Sequence, residues 1–147
     1  MTFALFFNKA PIGSLAALLD CYGSREFESQ YRSTVPLMAL LGSPSSPLKK
    51  ILDDCGFADS ATLHFEYQVA PREGTGKASH TDLMVLGADA SLAIEAKWTE
   101  PPSQLVRHWL TPEPTENRRA VLRGWLSVLN RFLEHPLNVA DVEDQPY

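Results

Sequence analysis

Two short apolar-rich runs flank Gly87-Ala-Asp-Ala90, and only one way of pairing them keeps carboxylates out of a core. The runs are 80–86 and 91–99. Taking the turn as two residues (Ala88-Asp89) or as four, facing residues have numbers that sum to 177. Leu83 then faces Ile94 and Val85 faces Leu92 on one side. Asp82 faces Glu95, Met84 faces Ala93 and His80 faces Lys97 on the other. An odd-numbered loop would slip the register by one and set core residues against carboxylates. The chain is therefore expected to build a β-hairpin with one buried face.

The polar face of this hairpin has its own logic. Opposed residues have Cβ atoms ~4.5–5.5 Å apart, and like charges placed this way destabilise a sheet. Two carboxylates ~5 Å apart repel by roughly 3 kcal/mol at an effective dielectric of ~20. A divalent cation between Asp82 and Glu95 would offset this, and carboxylate oxygens without His or Cys suit Mg²⁺ or Mn²⁺. Lys97 lies two residues past Glu95, hence on the same strand face. An ammonium beside a metal-binding carboxylate pair is what phosphoryl hydrolysis needs. A solvated strand face is the ordinary meaning of an isolated Glu-x-Lys, and it is the whole constellation that points to chemistry.

The remaining chain supplies an α/β setting. Residues 2–8 form a continuous apolar run, expected as a buried strand. Ser14 caps a helix carrying Leu15, Leu18, Leu19 and Tyr22, closed at Gly23. A second helix is expected from Ser24, kinked or restarted at Pro36 and ending at Gly42. Pro47 opens a third, with Leu48, Ile51, Leu52 and Cys55, stopped at Gly56. Residues 63–69 alternate strictly, placing Leu63, Phe65, Tyr67 and Val69 on one face and His64, Glu66 and Gln68 on the other. A polar loop, 71–79, leads into the hairpin. Ser103 caps a short helix to Leu110, with Gln104 at its start. Thr115 caps a long helix to about His135, and the acidic tail after Pro136 reads as a loop.

Composition narrows the setting. The chain has 147 residues, 13 Lys plus Arg against 18 Asp plus Glu, and a net charge of −5. That length fits one domain, 1–147. The acidic balance argues against coating nucleic acid by bulk charge, although a local basic surface is compatible with it. Arg118, Arg119 and Arg123 lie off the apolar stripe of the long helix, as do Asn130 and Arg131. With Arg107 and Lys77 they are candidates to grip a phosphate backbone, and a solvated helix face is the plainer alternative. Two cysteines make no disulfide framework. No run is long enough to span a membrane, and the first residues lack the basic start of a signal peptide. A cytoplasmic setting is expected. Trp98, Trp109 and Trp125 read as core residues, and the four histidines show no metal-ligand spacing.

Thr81-Asp82-Leu-Met-Val-Leu followed by Ser91-Leu-Ala-Ile-Glu95-Ala96-Lys97-Trp98 resembles the motif of the PD-(D/E)xK nuclease superfamily, the restriction-endonuclease-like fold. Thr81 stands where that motif has Pro. The resemblance covers about 24–135. It implies an α-β-β-β-α core, a central mixed sheet flanked by helices, without a recognisable final core strand. It implies Mg²⁺ or Mn²⁺ held at Asp82, Glu95 and Ala96, with Lys97 orienting the attacking water. A Glu of the first core helix assists in many members, and Glu28 is the candidate, with Glu26 as the alternative. On the polar face of the adjacent strand, Glu66 and Gln68 are further candidates to reach that metal, with an exposed sheet face as the plainer alternative. The implied substrate is nucleic acid, DNA before RNA. A homodimer or a partner protein is compatible with the fold, and so is a catalytically silent binding module.

Overall fold

A computed structural model describes residues 3–28, 34–42, 47–57, 61–96, 104–111 and 115–146. The chain is mixed α/β, with a five-stranded open mixed sheet in the order β2-β1-β3-β4-β5. It divides into two compact units, Met1–Gln68 with His80–Glu100, and Val69–Ser79 with Pro101–Tyr147.

The first unit starts with a hairpin rather than one buried strand. β1 (Ala4–Phe7) pairs antiparallel with β2 (Ala10–Ile12) and parallel with β3 (Thr62–Val69). Phe7 faces Ala10, so the turn is the two residues Asn8 and Lys9, with φ of 44° and 70°. Two residues at positive φ twist the turn in the sense the strands require. Asn accepts that conformation readily, whereas Lys occupies a place usually given to Gly. The strand expected over 2–8 is therefore only Ala4–Phe7, with the turn beginning at Asn8.

α1 (Leu15–Cys21) follows, and Ser14 accepts from the Ala17 N–H as its N-cap. The helix expected from Ser24 is instead a short 3-10 turn, Ser24–Glu26, capped at Phe27. Glu28 lies beyond that turn, exposed and outside any helix, and 29–33 are outside the described residues. α2 (Thr34–Gly42) begins two residues before Pro36, so the proline sits in a first turn, where its missing N–H has no intrahelical partner to lose. α3 (Pro47–Asp54) starts at its proline as expected, and Gly56 takes φ 76° just past it.

These helices and the sheet enclose one core. Leu18, Tyr22, Leu37, Leu48, Leu52, Leu63, Phe65, Leu83 and Val85 are buried together. Full burial of each large apolar side chain is worth about 1.5–3 kcal/mol. β4 (Ser79–Leu86) and β5 (Ser91–Ile94) form the hairpin. Its register is Leu83↔Ile94, Met84↔Ala93, Val85↔Leu92 and Leu86↔Ser91, and every pair sums to 177. The Gly87 N–H closes the turn on the Ala90 carbonyl at 2.9 Å. The second strand stops at Ile94, short of the expected 99, and 97–100 are outside the described residues.

β3 breaks the alternation read from its sequence. Glu66 has φ 50° inside the strand. A left-handed residue there acts as a bulge and changes which face later side chains occupy. His64 stacks on Phe6 at 4.3 Å and meets Tyr67 edge-on at 5.6 Å. Residues 64 and 67 share a side only because of the extra residue between them. Tyr67 is thus on the face of His64, not that of Leu63 and Phe65. Lys9 lies 4.8 Å over its ring.

In the second unit, α4 (Val106–Leu110), α5 (Thr115–Leu129) and α6 (Val139–Val142) pack around Val106, Leu110, Leu122 and Leu126. α4 is capped at Leu105, and Ser103 is outside the described residues. α5 ends six residues before His135, because Asn130 turns the chain. Its amide donates to the Leu137 carbonyl and accepts the Leu137 N–H, both at 2.8 Å. The tail expected as a loop holds α6, started by a capping box between Asn138 and Asp141. The sheet has no strand after α5 among the described residues. Its extra strands come from the N-terminal hairpin.

Candidate active site

Asp82 stands one residue before Leu83 on β4, and Glu95 one residue after Ile94. The register carried one step further would oppose them, but the paired ladder stops at Ile94. Just beyond the strand the backbone turns to Asp82 itself. The Ala96 N–H donates to Asp82 Oδ2 at 2.8 Å. This bond occupies one of the roughly four lone-pair positions of the carboxylate. Asp82 is half-buried and Glu95 exposed. Lys97 lies outside the described residues.

A cavity of about 340 Å³ opens in the same unit, and its lining includes Tyr22, Glu26, Glu66, Gln68 and His80. The bulge accounts for part of this set. By changing the face it turns Glu66 and Gln68 to the side of Phe7 and Tyr22. His80 Nδ1 lies 3.4 Å from Glu66 Oε2. Glu26 reaches the cavity from the 3-10 turn, whereas Glu28 is not among its lining residues. Of the two candidates for the assisting acid, the structure brings Glu26 to the sheet.

Tyr22 adds a polar group that the apolar pattern of α1 does not reveal. In the sequence it is one more position on the apolar stripe of that helix. Its ring fills the core at 8% exposure, and its buried hydroxyl has no hydrogen-bond partner among the described residues. Burial pushes the phenol well above the usual tyrosine range, and the charges of Glu66, Asp82, Cys21 and Glu26 push the same way. The phenol is thus a neutral donor facing acids from three separate segments. The only sign in the sequence was its hydroxyl.

Among the described residues, no three His, Cys, Asp or Glu side chains are grouped to hold a metal ion. The donor chemistry at Asp82 and Glu95 still fits Mg²⁺ or Mn²⁺. Mg²⁺ characteristically takes one or two carboxylates and completes its shell with water and substrate phosphate.

The arginines expected to grip phosphate are largely engaged within the second unit. Arg118 donates to the Trp109 carbonyl and lies 5.6 Å over its ring. Arg123 pairs with Glu116 at 2.9 Å, and Arg107 pairs with Asp144. Arg119 is exposed. Gln104 is exposed before α4 begins. Trp109 and Trp125 are half-buried rather than core, and Trp98 is outside the described residues.

A family model described as "Domain of unknown function (DUF6946)" matches residues 11–145, and the chain belongs to that family. No curated protein and no solved structure matches it. No helix among the described residues is long and apolar enough to cross a membrane.

Proposed function

We propose that this chain is a nuclease of the PD-(D/E)xK type, hydrolysing phosphodiester bonds of nucleic acid, DNA foremost, with Mg²⁺ or Mn²⁺. The observation that carries the reading is the hairpin register. It leaves Asp82 and Glu95 as the next residues on the two strands beyond a paired apolar face. The order of β3, β4 and β5 followed by helices agrees with the core of that fold.

Asp82 and Glu95 would hold the cation. The bound metal supplies a positive charge that polarises the phosphate and lowers the pKa of water. Lys97 holds the attacking water and offsets the negative charge that grows on the phosphate oxygens. The Ala96 N–H on Asp82 fixes the orientation of that carboxylate before any ligand arrives. Glu26 adds a further acid from the 3-10 turn.

The test is cleavage of plasmid, single-stranded DNA and RNA with Mn²⁺, repeated in EDTA and with Lys97→Ala. Cleavage that stops in EDTA and falls by orders of magnitude in Lys97→Ala supports the reading. Near-normal cleavage by Lys97→Ala rejects the role of the lysine. A second reading, a silent binding module on the same fold, is favoured by one observation: Asp82 is already satisfied in part by a backbone N–H. Intact protein that cleaves none of the three substrates would support it.

A further inference from the structure

We propose that the second unit carries a binding site for a phosphorylated nucleoside, in the cleft between the loop before β4 and helix α5. The cleft has a volume of about 620 Å³, and its lining includes Lys77, Ser79, Trp109, Arg118 and Trp125. That volume suits a small ligand, for which sites typically span ~300–1,000 Å³. No acidic residue is among the described residues that line it, in a chain of net charge −5. The local field therefore opposes that of the whole molecule and favours an anion.

The walls are built rather than incidental. The Thr75 N–H and hydroxyl both donate to Asn117 Oδ1, at 2.7 and 3.1 Å, and Asn117 Nδ2 donates to the Thr75 carbonyl at 2.6 Å. Gly74 has φ 73°, and a Cβ there would come within 2.8 Å of Val121 and 2.9 Å of the Asn117 carbonyl. A Cβ on Gly124 would lie 2.8 Å from the Glu73 nitrogen. Two glycines on facing segments thus let the loop lie directly on α5. Arg118 is fixed by the carbonyl and ring of Trp109, and a guanidinium has five N–H donors in all.

The ligand class follows from the lining. Lys77 and Arg118 supply charge-assisted donors for phosphate oxygens. The half-buried indoles of Trp109 and Trp125 supply planar surfaces, and every nucleobase presents a π-face to such a surface. A bare anion would leave the indoles unused, and an apolar ligand would leave the cations unpaired. The shared chemistry is a phosphate joined to a base, from a free nucleotide or from one unit of a single strand. This site does not rest on the reading of Asp82 and Glu95.

The test is titration of tryptophan fluorescence in EDTA, which removes metal-dependent binding and cleavage. The probes are AMP, a single-stranded oligonucleotide of about ten residues, inorganic phosphate and an acidic peptide. Saturable quenching by AMP or the oligonucleotide is expected. Lys77→Gln should weaken it about tenfold, the scale of one charge-assisted hydrogen bond. Lys77 is exposed, so this variant is expected to fold, and its circular dichroism should match the parent. AMP binding as tightly as the oligonucleotide identifies a free nucleotide as the source, and a tighter oligonucleotide identifies a strand. No saturable quenching at millimolar probe would overturn the proposal. So would phosphate or the peptide matching AMP, or unchanged binding by folded Lys77→Gln.

Discussion

Two buried residues of the first unit make opposite demands on pH. The Tyr22 phenol is held neutral by burial and by the acids around it, and its hydroxyl lacks a partner among the described residues. Its raised pKa stabilises the folded state fully below the unfolded value of about 10, and that contribution is lost as pH rises above it. Tyr22→Phe removes an unsatisfied buried group, so at neutral pH it should be neutral or stabilising by up to about 1 kcal/mol. Melts at pH 7 and above pH 10 should show the variant losing less stability than the parent. A clear loss at pH 7 would mean that the hydroxyl has a partner. His64 works the other way. Burial pushes its imidazole below the usual range, so the unfolded chain takes up a proton that the folded chain refuses. Stability is full above about pH 6.5 and falls below it. His64→Phe keeps a ring beside Phe6 and should flatten the melting temperature between pH 7 and 5 relative to the parent. Equal pH profiles would contradict this.

At the scale of elements, the hairpin was legible and the bulge was not. Leu83 and Val85 face Ile94 and Leu92 in one register alone, and a slip by one would set core residues against Asp82 and Glu95. Glu66 left no such trace, because a positive φ changes the face without changing the composition of a run. The same cause moved Tyr67 to the side of His64 and brought Glu66 and Gln68 to the cavity. Asn8-Lys9 was hidden for a related reason, with Lys where a turn signal would show Gly. The helix expected from Ser24 is a 3-10 turn whose N-cap is Gly23, without a side-chain cap, so Glu28 falls outside it and Glu26 within it. The bulge predicts a reversal of ordinary strand preference. Val favours strands and Gly weakens them, yet at φ 50° the Cβ of Val is strained by roughly 1–2 kcal/mol and Gly is not. Glu66→Val should therefore melt below Glu66→Gly. The usual order, Val above Gly, would place residue 66 in regular strand geometry.

At the scale of the whole molecule, the proposed function requires a chain of net charge −5 to concentrate its attraction for nucleic acid at particular sites. The hairpin register leaves Asp82 and Glu95 next in line beyond its last pair, and a cation shared by the two is the central proposal. It is tested most directly by thermal melts of the parent and Asp82→Asn, each in EDTA and with Mg²⁺ or Mn²⁺. In EDTA, Asp82→Asn should melt at or above the parent, since it removes one charge from the group around Tyr22 and keeps an oxygen to accept the Ala96 N–H. Metal at ~100 times its Kd should stabilise the parent by ~2.7 kcal/mol, because it binds only the folded state. At this chain size that is a rise of about 5–10 °C, and Asp82→Asn should gain almost nothing. Equal metal shifts in the two proteins, or none in the parent, would contradict a cation held between these carboxylates.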